Sequence, residues 1–598
     1  VTYNPHGLAT RVESGTVAGT SNSDWSAFST AEQQDISYDG ADRPIKTEHK
    51  SGGTTYGITQ VKYDIVGRND CTAVRMNPAN FGSPPSDACT AGTAGSSPND
   101  YGADRIVKNS YDNANRVTKV QTAYGQTEQA DEVTTDYTDN GRSDYVIDAE
   151  NNRTDYTYDD HDRLVKTEYP SATKGANAAN ASDYEQLGYD ANGNVTSRRL
   201  RDGTSIGYGY DKLNRLTSKD LPGSEPDATY AYDLMGHLTS AVQNSRTHSF
   251  TYDALGRNLS ETGPLGTVDY KYNLAGQRRK ITYPGSTALV IDYEFDAAGL
   301  VKLVKENVST TVATYAYDNL GRRTSVTYNN GVVQSYGYDA VSRMTSLANV
   351  FAGGTYDQTV TLGYNPAGQI DTLSKTNDLF AWNGHYNADR VSGSNGLNQM
   401  IAATPGGGQT SVPTLSYDAR GNLTGNGGSS YTYSSENLLK TGPASAALDY
   451  DPLGRLYSTS DGSNTTKFLY AGTDLIAEYD GSNNLLRRYA HAPGTDTPML
   501  HYEGTGLSNR SYLTSDERGS IVAITNSGGS VTSVNTYDEY GVPGSGNASI
   551  ANGGRFQYTG QTWLPELGMY YYKARVYNPD LGRFMQTDPI GYGDGINW

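Results

Sequence analysis

The sequence has 598 residues, of which 49 are Tyr but only 9 Phe, 67 are Gly and 2 are Cys; 47 basic against 66 acidic side chains give a formal charge of −19. Mean hydropathy is −0.65, and no apolar run approaches the roughly 18 residues that a spanning helix needs. Gly without a period of three excludes collagen, two Cys cannot staple a chain this long, and the acidic surplus argues against nonspecific nucleic-acid binding. Length alone suggests about four domains, and low apolar content suggests disorder. The 10% of aromatic residues opposes disorder and leaves a β-rich extended or hollow architecture with Tyr as its packing residue.

Residues 1–35 precede any repeat and read as a lead-in segment. Val1 brings neither Met nor a signal-like apolar stretch, and Trp598 closes abruptly, so both ends are expected to be cuts in a longer protein. From Tyr38 onward Tyr-Asp recurs, mostly as Tyr-Asp-x-x-Gly-Arg. Clear copies start at Tyr63, Tyr252, Tyr317 and Tyr450; with degenerate ones there are 18, and from 189 to 338 they follow at steps of 20 to 23 residues. Position two is Asp in 14 copies and otherwise Asn273, Asn365, Thr138 or Ser434, all short acceptors of the kind that cap turns. Position five is Gly, Asn or Asp in 17, the residues that best tolerate a left-handed backbone, with Ser342 as the exception. Position six is Arg in 10.

The pattern predicts hairpins: a strand ends at Tyr, Asp caps a four-residue link built on a type I turn, the fifth residue takes positive φ, and Arg opens the return strand. A unit of about 21 residues is too short to fold alone and must stack on its neighbours. Tyr of one unit is expected to lie against Tyr of the next with its hydroxyl toward water, and Asp to pair weakly with the Arg across its turn. These carboxylates are turn formers, not catalytic dyads.

Residues 69–105 interrupt the period, with four Pro and both cysteines. A Cys71–Cys89 disulfide would stabilise by roughly 3 kcal/mol; free thiols are the alternative, and neither a CxxC nor a nearby His favours a metal. Residues 170–183 and 393–413, which include the glycines at 406–408, read as loops.

The tandem units resemble the RHS/YD repeats of bacterial polymorphic toxins, insecticidal toxin-complex C subunits and teneurins. That resemblance implies an all-β strip of hairpins spiralling into a hollow shell, here 36–467, that encloses a C-terminal toxic part of the same polypeptide. From 468 to 598 the regular motif gives way to longer strands, among them one read through 512–524, and to Gly568-Met-Tyr-Tyr-Tyr-Lys-Ala-Arg575 and Leu-Gly-Arg583-Phe-Met-Gln-Thr-Asp588-Pro-Ile-Gly591. This stretch resembles the RHS-associated core that plugs such a shell. In many members the core is an aspartyl autoprotease with one Asp in a first DPxG and another in a second about twenty residues later. Asp588 matches the first, and the second has no counterpart here, so Asp588 is expected to be half a site and this chain not to cleave itself.

Other chemistry is scarce. The eight His (His6, His49, His161, His237, His248, His385, His491, His501) read mostly as turn residues with no HExxH spacing, and neither a Walker loop nor GxSxG occurs. No cofactor or metal is expected. The expected partners are the chain's own C-terminal toxin domain and delivery or N-terminal domains, with no nucleic acid and no membrane span. The expected place is outside the bacterial cell or on its surface, and the alternative function is an adhesive protein whose Tyr faces bind carbohydrate.

Overall fold

The structure is a computed structural model; it describes residues 1–19, 21–96, 100–285, 288–384, 392–403 and 414–591. Pro98, His385 and the glycines at 406–408 lie outside the described residues.

Residues 2–375 form one thirty-stranded sheet in which every strand pairs antiparallel with the next in sequence. Sheets of two, three and eleven strands follow, the last spanning 432–534, and a four-stranded sheet occupies 562–584. The eleven-stranded sheet passes through 468 without a break. Strands within 1–35 already belong to the first sheet.

Repeat 252 shows how the sequence builds a turn. Asp253 Oδ1 accepts from the backbone N–H of Leu255 (2.9 Å) and Arg257 (3.0 Å), while Asp253 N–H donates to the Arg257 carbonyl at 3.0 Å. The fifth residue has positive φ in all eighteen copies, Ser342 (φ 63°) included. Five more turns of this kind begin at Asp148, Asn395, Asp480, Asp516 and Asn526, with a fifth residue at φ 63°, 57°, 65°, 85° and 79°. The stretch 512–524 is therefore two strands around the turn at Asp516, not one long strand.

Between units the expected Tyr–Tyr contact is replaced by Arg. The Arg257 guanidinium lies 4.9 Å from the ring centre of Tyr272 in the next repeat, donates to Asp253 Oδ2 (2.6 Å) and reaches the Asn273 carbonyl (3.3 Å). The same Arg-over-Tyr step recurs at Arg43/Tyr63, Arg116/Tyr137, Arg163/Tyr189 and Arg322/Tyr338. The phenol does not face water: Tyr272 OH donates to the Asn258 carbonyl at 2.9 Å, and Tyr137, Tyr189, Tyr317 and Tyr364 repeat that bond on the preceding unit. Position six thus ties its own turn, the next ring and the next backbone together, and a ring over guanidinium is attractive in its own right.

Because consecutive turns of a meander fall on opposite edges, the strip has one edge of Tyr-Asp turns and one of intervening loops. The Tyr-Asp edge docks on the loop edge of earlier strip. Ser342 meets Glu32 across 310 residues of sequence, Asn398 meets Asn152 across 246, Glu436 meets Lys219 across 217 and the Ser515 carbonyl, at the Asp516 turn, meets Gln334 across 181. The strip therefore coils upon itself, and each revolution uses fewer residues than the last.

The accessible surface is 28051 Å², against about 20,000 Å² for a compact protein of this mass. This excess is the mark of a wall with water on two faces, and the chain is an all-β shell. Its core lies where windings overlap. One cluster joins Val268, Ile291 and Val304 to Ala477, Leu500 and Val522, and a second joins Leu439, Leu456 and Phe468 to Leu564, Met569 and Val576 of the terminal sheet. Of the histidines, His49, His248, His491 and His501 sit in strands rather than turns.

Candidate functional site

Residues 537–591 close the end of the last winding. They begin with a Tyr-Asp turn, whose Asp538 Oδ1 accepts from Val542 N–H at 2.7 Å. An aromatic knot follows: Trp563 and Tyr570 are 4.7 Å apart, and Tyr572, Tyr577 and Phe584 stand 5.5 Å from one another. Tyr570 OH donates to the Gly541 carbonyl (2.8 Å), and Leu456 N–H of the wall donates to Tyr571 OH (3.0 Å).

The strongest joint between wall and plug is ionic. Glu478, with 0% of its side chain exposed, receives Arg555 through both oxygens (2.8 and 2.9 Å), Arg487 at 2.9 Å and the Tyr489 hydroxyl at 2.6 Å. Burial pushes this carboxyl up, but the Arg555 and Arg487 guanidiniums more than offset it and hold it at about 2. Nothing in the repeat pattern points to these residues; the available signals are an acid inside the apolar run Leu475-Ile-Ala-Glu-Tyr and an Arg behind Gly553-Gly554.

Asp588 lies at the base of this plug. Its Oδ1 accepts from Ile590 N–H (3.1 Å), its carbonyl accepts from Gly591 N–H (2.9 Å), and Gly591 has φ 58°. These bonds repeat part of the turn geometry of the wall. The other oxygen, Oδ2, lies 2.8 Å from Arg575 Nη2. Asp588 lines a cavity of about 480 Å³ between plug and wall, shared with Tyr156, Tyr169, Tyr208, Glu185 and Glu436. Glu185 is held by Arg198 (2.8 Å) and Glu436 by Lys219. Among the described residues no second carboxylate is hydrogen-bonded to Asp588, so no pair shares a proton there.

Cys71 and Cys89 are joined, with Cα atoms 5.3 Å apart. Strands Asn69–Val74 and Arg105–Tyr111 belong to the sheet, so the excursion proper is 75–104. Its centre is buried Arg75, which donates to Gln60, the Thr90 carbonyl (2.7 Å) and Asp104 (2.7 Å). Asp70 stands beside the two sulphurs, but with the sulphurs spent on each other the trio offers a cation a single carboxylate.

Residues 189–226 and 295–333 match the RHS-repeat family model, and residues 397–595 match the teneurin YD-shell model. The chain is an RHS/YD-repeat protein. Among curated relatives this RHS/YD-repeat chain is 24% identical over 496 residues to double-stranded DNA deaminase toxin A of Burkholderia cenocepacia, covering 74% of the chain and 31% of that protein. It is 25% identical over 398 residues to the tRNA3(Ser)-specific nuclease WapA of Bacillus spizizenii, covering 65% of the chain and 14% of that protein. The chain therefore spans under a third of these curated relatives. Among solved structures, a TcdB2–TccC3–Cdc42 crystal structure superposes with TM-score 0.66 at 15% identity over 95% of this chain and 35% of that one. A Photorhabdus luminescens Tc holotoxin pore gives 0.68 at 14% over 95% and 33%. These likenesses show that the RHS/YD-repeat fold seen here is the shell fold of toxin-complex proteins.

Proposed function

We propose that this chain is wall and plug of a secreted bacterial toxin container that encloses an effector polypeptide carried downstream and delivers it. The observation that carries the reading is the excess of accessible surface over a compact protein of equal mass, on a strip that winds and narrows toward a plugged end. The expected boundary at 468 falls inside the eleven-stranded sheet, so the wall of the container runs on to the end of that sheet at Val534 and the plug is 537–591. The effector's activity belongs to the effector alone; the deaminase and nuclease names of the relatives describe those proteins. Low-resolution electron microscopy of the chain tests the container: a hollow particle is expected, and a solid or string-like one overturns it.

In the longer protein, Asp588 supplies one carboxylate of a self-cleaving pair, and the segment carrying a second DPxG about twenty residues further on, past Trp598, brings the other. The cavity beside Asp588 is the room for that segment. Cleavage downstream of Trp598 in the natural polypeptide should stop in Asp588→Asn; cleavage that persists removes Asp588 from the chemistry.

A further inference from the structure

The tips of the Tyr-Asp turns carry apolar side chains that water reaches freely. In consecutive repeats these are Leu213 (67% exposed), Leu234 (99%), Met235 (81%), Leu255 (78%) and Leu274 (108%). They share one edge of the strip, since all follow the Asp of a Tyr-Asp turn. Earlier on that edge Ile65 and Val66 are exposed in the same way. A lone exposed Leu means little, but a row along one edge marks a contact surface.

The rest of the molecule shows what such an edge is for. Wherever later turn tips have earlier strip beside them, they dock on its loop edge. Ser342 meets Glu32, Arg343 stands 5.8 Å from the ring centre of Tyr56, the turn residue Pro366 closes against Gly57, and Arg420 offers its carbonyl to Arg201. The first of these contacts spans 310 residues. The next turn of this edge, at Phe295, carries only the small exposed Ala297 and Ala298; Leu320 and Val341, the apolar tips of the two turns after it, are part-covered, and the same offset places them beside the first windings. Carried back to 213–274, the offset points to strip running roughly 40–100 residues ahead of Val1 in the spiral.

We propose that the Leu213–Leu234–Met235–Leu255–Leu274 edge is the seat of a further winding of the same hairpin strip, presented by its loop edge and carried on the same polypeptide ahead of Val1. The tips then play the part that Ser342 and Pro366 play one revolution later. Polar residues at the loop end of the strands complete the contact, as Glu32 of strand Ser29–Tyr38 does for the turn residue Ser342. This stands whether or not the container holds cargo, and an empty or filled shell needs it equally.

The test uses Leu255→Cys, the one free thiol in a chain whose own two cysteines are joined. In the 598-residue chain, maleimide labelling is expected to be fast at low and high protein concentration alike. In the natural polypeptide, with whatever precedes Val1, it is expected to slow by roughly tenfold or more, because a docked winding must open first. Equal rates in the two proteins overturn the proposal. Labelling of the 598-residue chain that slows as its concentration rises assigns the edge to a second copy, and a natural polypeptide beginning within about 40 residues of Val1 leaves no strip to fill it; either result also overturns the proposal. The five tips replaced together by Lys should leave the thermal unfolding of the 598-residue chain nearly unchanged, since most of their surface is in water there, while trypsin cuts the preceding strip roughly tenfold faster in the natural polypeptide. An unchanged cutting rate overturns it independently of the thiol measurement.

Discussion

The first half of the strip and the overlapped zone use one turn chemistry but bury very different side chains. In Val117–Thr122 and Ser143–Asp148 no residue is fully buried on either face. In Ile521–Thr525 every residue is buried, and in Asp474–Asp480 the middle five are. The strands differ accordingly: Val-Thr-Lys-Val-Gln-Thr against Ile-Val-Ala-Ile-Thr. Where the wall is single, its units are held by neighbour-to-neighbour ties of Arg, Tyr and backbone. Where windings overlap, apolar area takes over. The repeat therefore encodes a turn and a link, not a core.

The largest break in that comparison should come at the buried joint. Arg555→Met leaves Glu478 charged with only Arg487 beside it, and removal of one partner of a buried pair costs about 3–5 kcal/mol. Thermal unfolding should therefore lose the plug transition first; an unchanged melting curve would refute the joint. Acid gives the same answer from the other side. The Glu478 carboxyl is held below its ordinary value of 4.5, so its contribution is full above that pH and fades as pH falls toward 2.

Core truncation tests the two zones directly. Leu500→Ala, at 0% exposure, should cost about 2–5 kcal/mol by lost transfer and cavity. Val120→Ala in the single wall should cost under about 1 kcal/mol, because its side chain is only part-buried. Chemical denaturation of the two variants measures the ratio, and near-equal losses would mean that the wall has a core after all.

How much of this is legible from sequence follows from distance along the chain. The cap on Asp253 and the positive φ of the fifth residue depend on six consecutive residues, so the pattern predicts them, and even Ser342 obeys the position rather than its own preference. The turn at Asp480 is readable by the same rule, since Tyr479 precedes it. Those at Asp148 and Asn395 lack the Tyr and need the Asx-then-αL rule alone. The partner of each ring is less legible: composition suggests Tyr on Tyr, yet the Arg six places into one unit reaches the ring of the next. The Glu478–Arg555 joint spans 77 residues and depends on how the strip coils, which no local pattern contains. Nor does local pattern tell that Asp588 is tied to Arg575.

A smaller, pH-dependent effect sits in the overlapped zone. Burial, and then the neighbouring Glu517, push the Asp516 carboxyl up to about 6. The folded chain therefore binds the proton more tightly than the unfolded one, whose carboxyl titrates near 3.8. The penalty for ionising it is absent below that value and complete above 6, so this group alone makes the protein more stable at pH 5 than at pH 7. Asp516→Asn keeps the turn acceptor, as Asn273 and Asn365 do in their copies. It should raise the melting temperature at pH 7 and leave it unchanged near pH 4. A variant destabilised at both would show the carboxylate to be needed for the turn.

The smallest effect separates the two zones most finely. Arg257→Lys keeps the charge but loses the planar group that stacks on Tyr272 while donating to Asp253 and to the Asn273 carbonyl. A compact ammonium cannot hold all three, so a loss of about 0.5–1 kcal/mol is expected. Tyr272→Leu alone removes the ring and its bond to the Asn258 carbonyl; combined with Arg257→Lys, the two losses should fall short of additive by the stacking energy, because they delete one shared contact. The same pair of changes at Arg455 and Tyr470, where Tyr470 is buried in the overlapped zone, should cost more singly, since the ring there also fills a core. If the coupling between Arg and Tyr is nevertheless equal at both places, the link is a property of the repeat and burial is added on top of it. If coupling appears only in the overlapped zone, the single wall is held by its backbone ladder, and the recurrence of Arg at position six needs another cause.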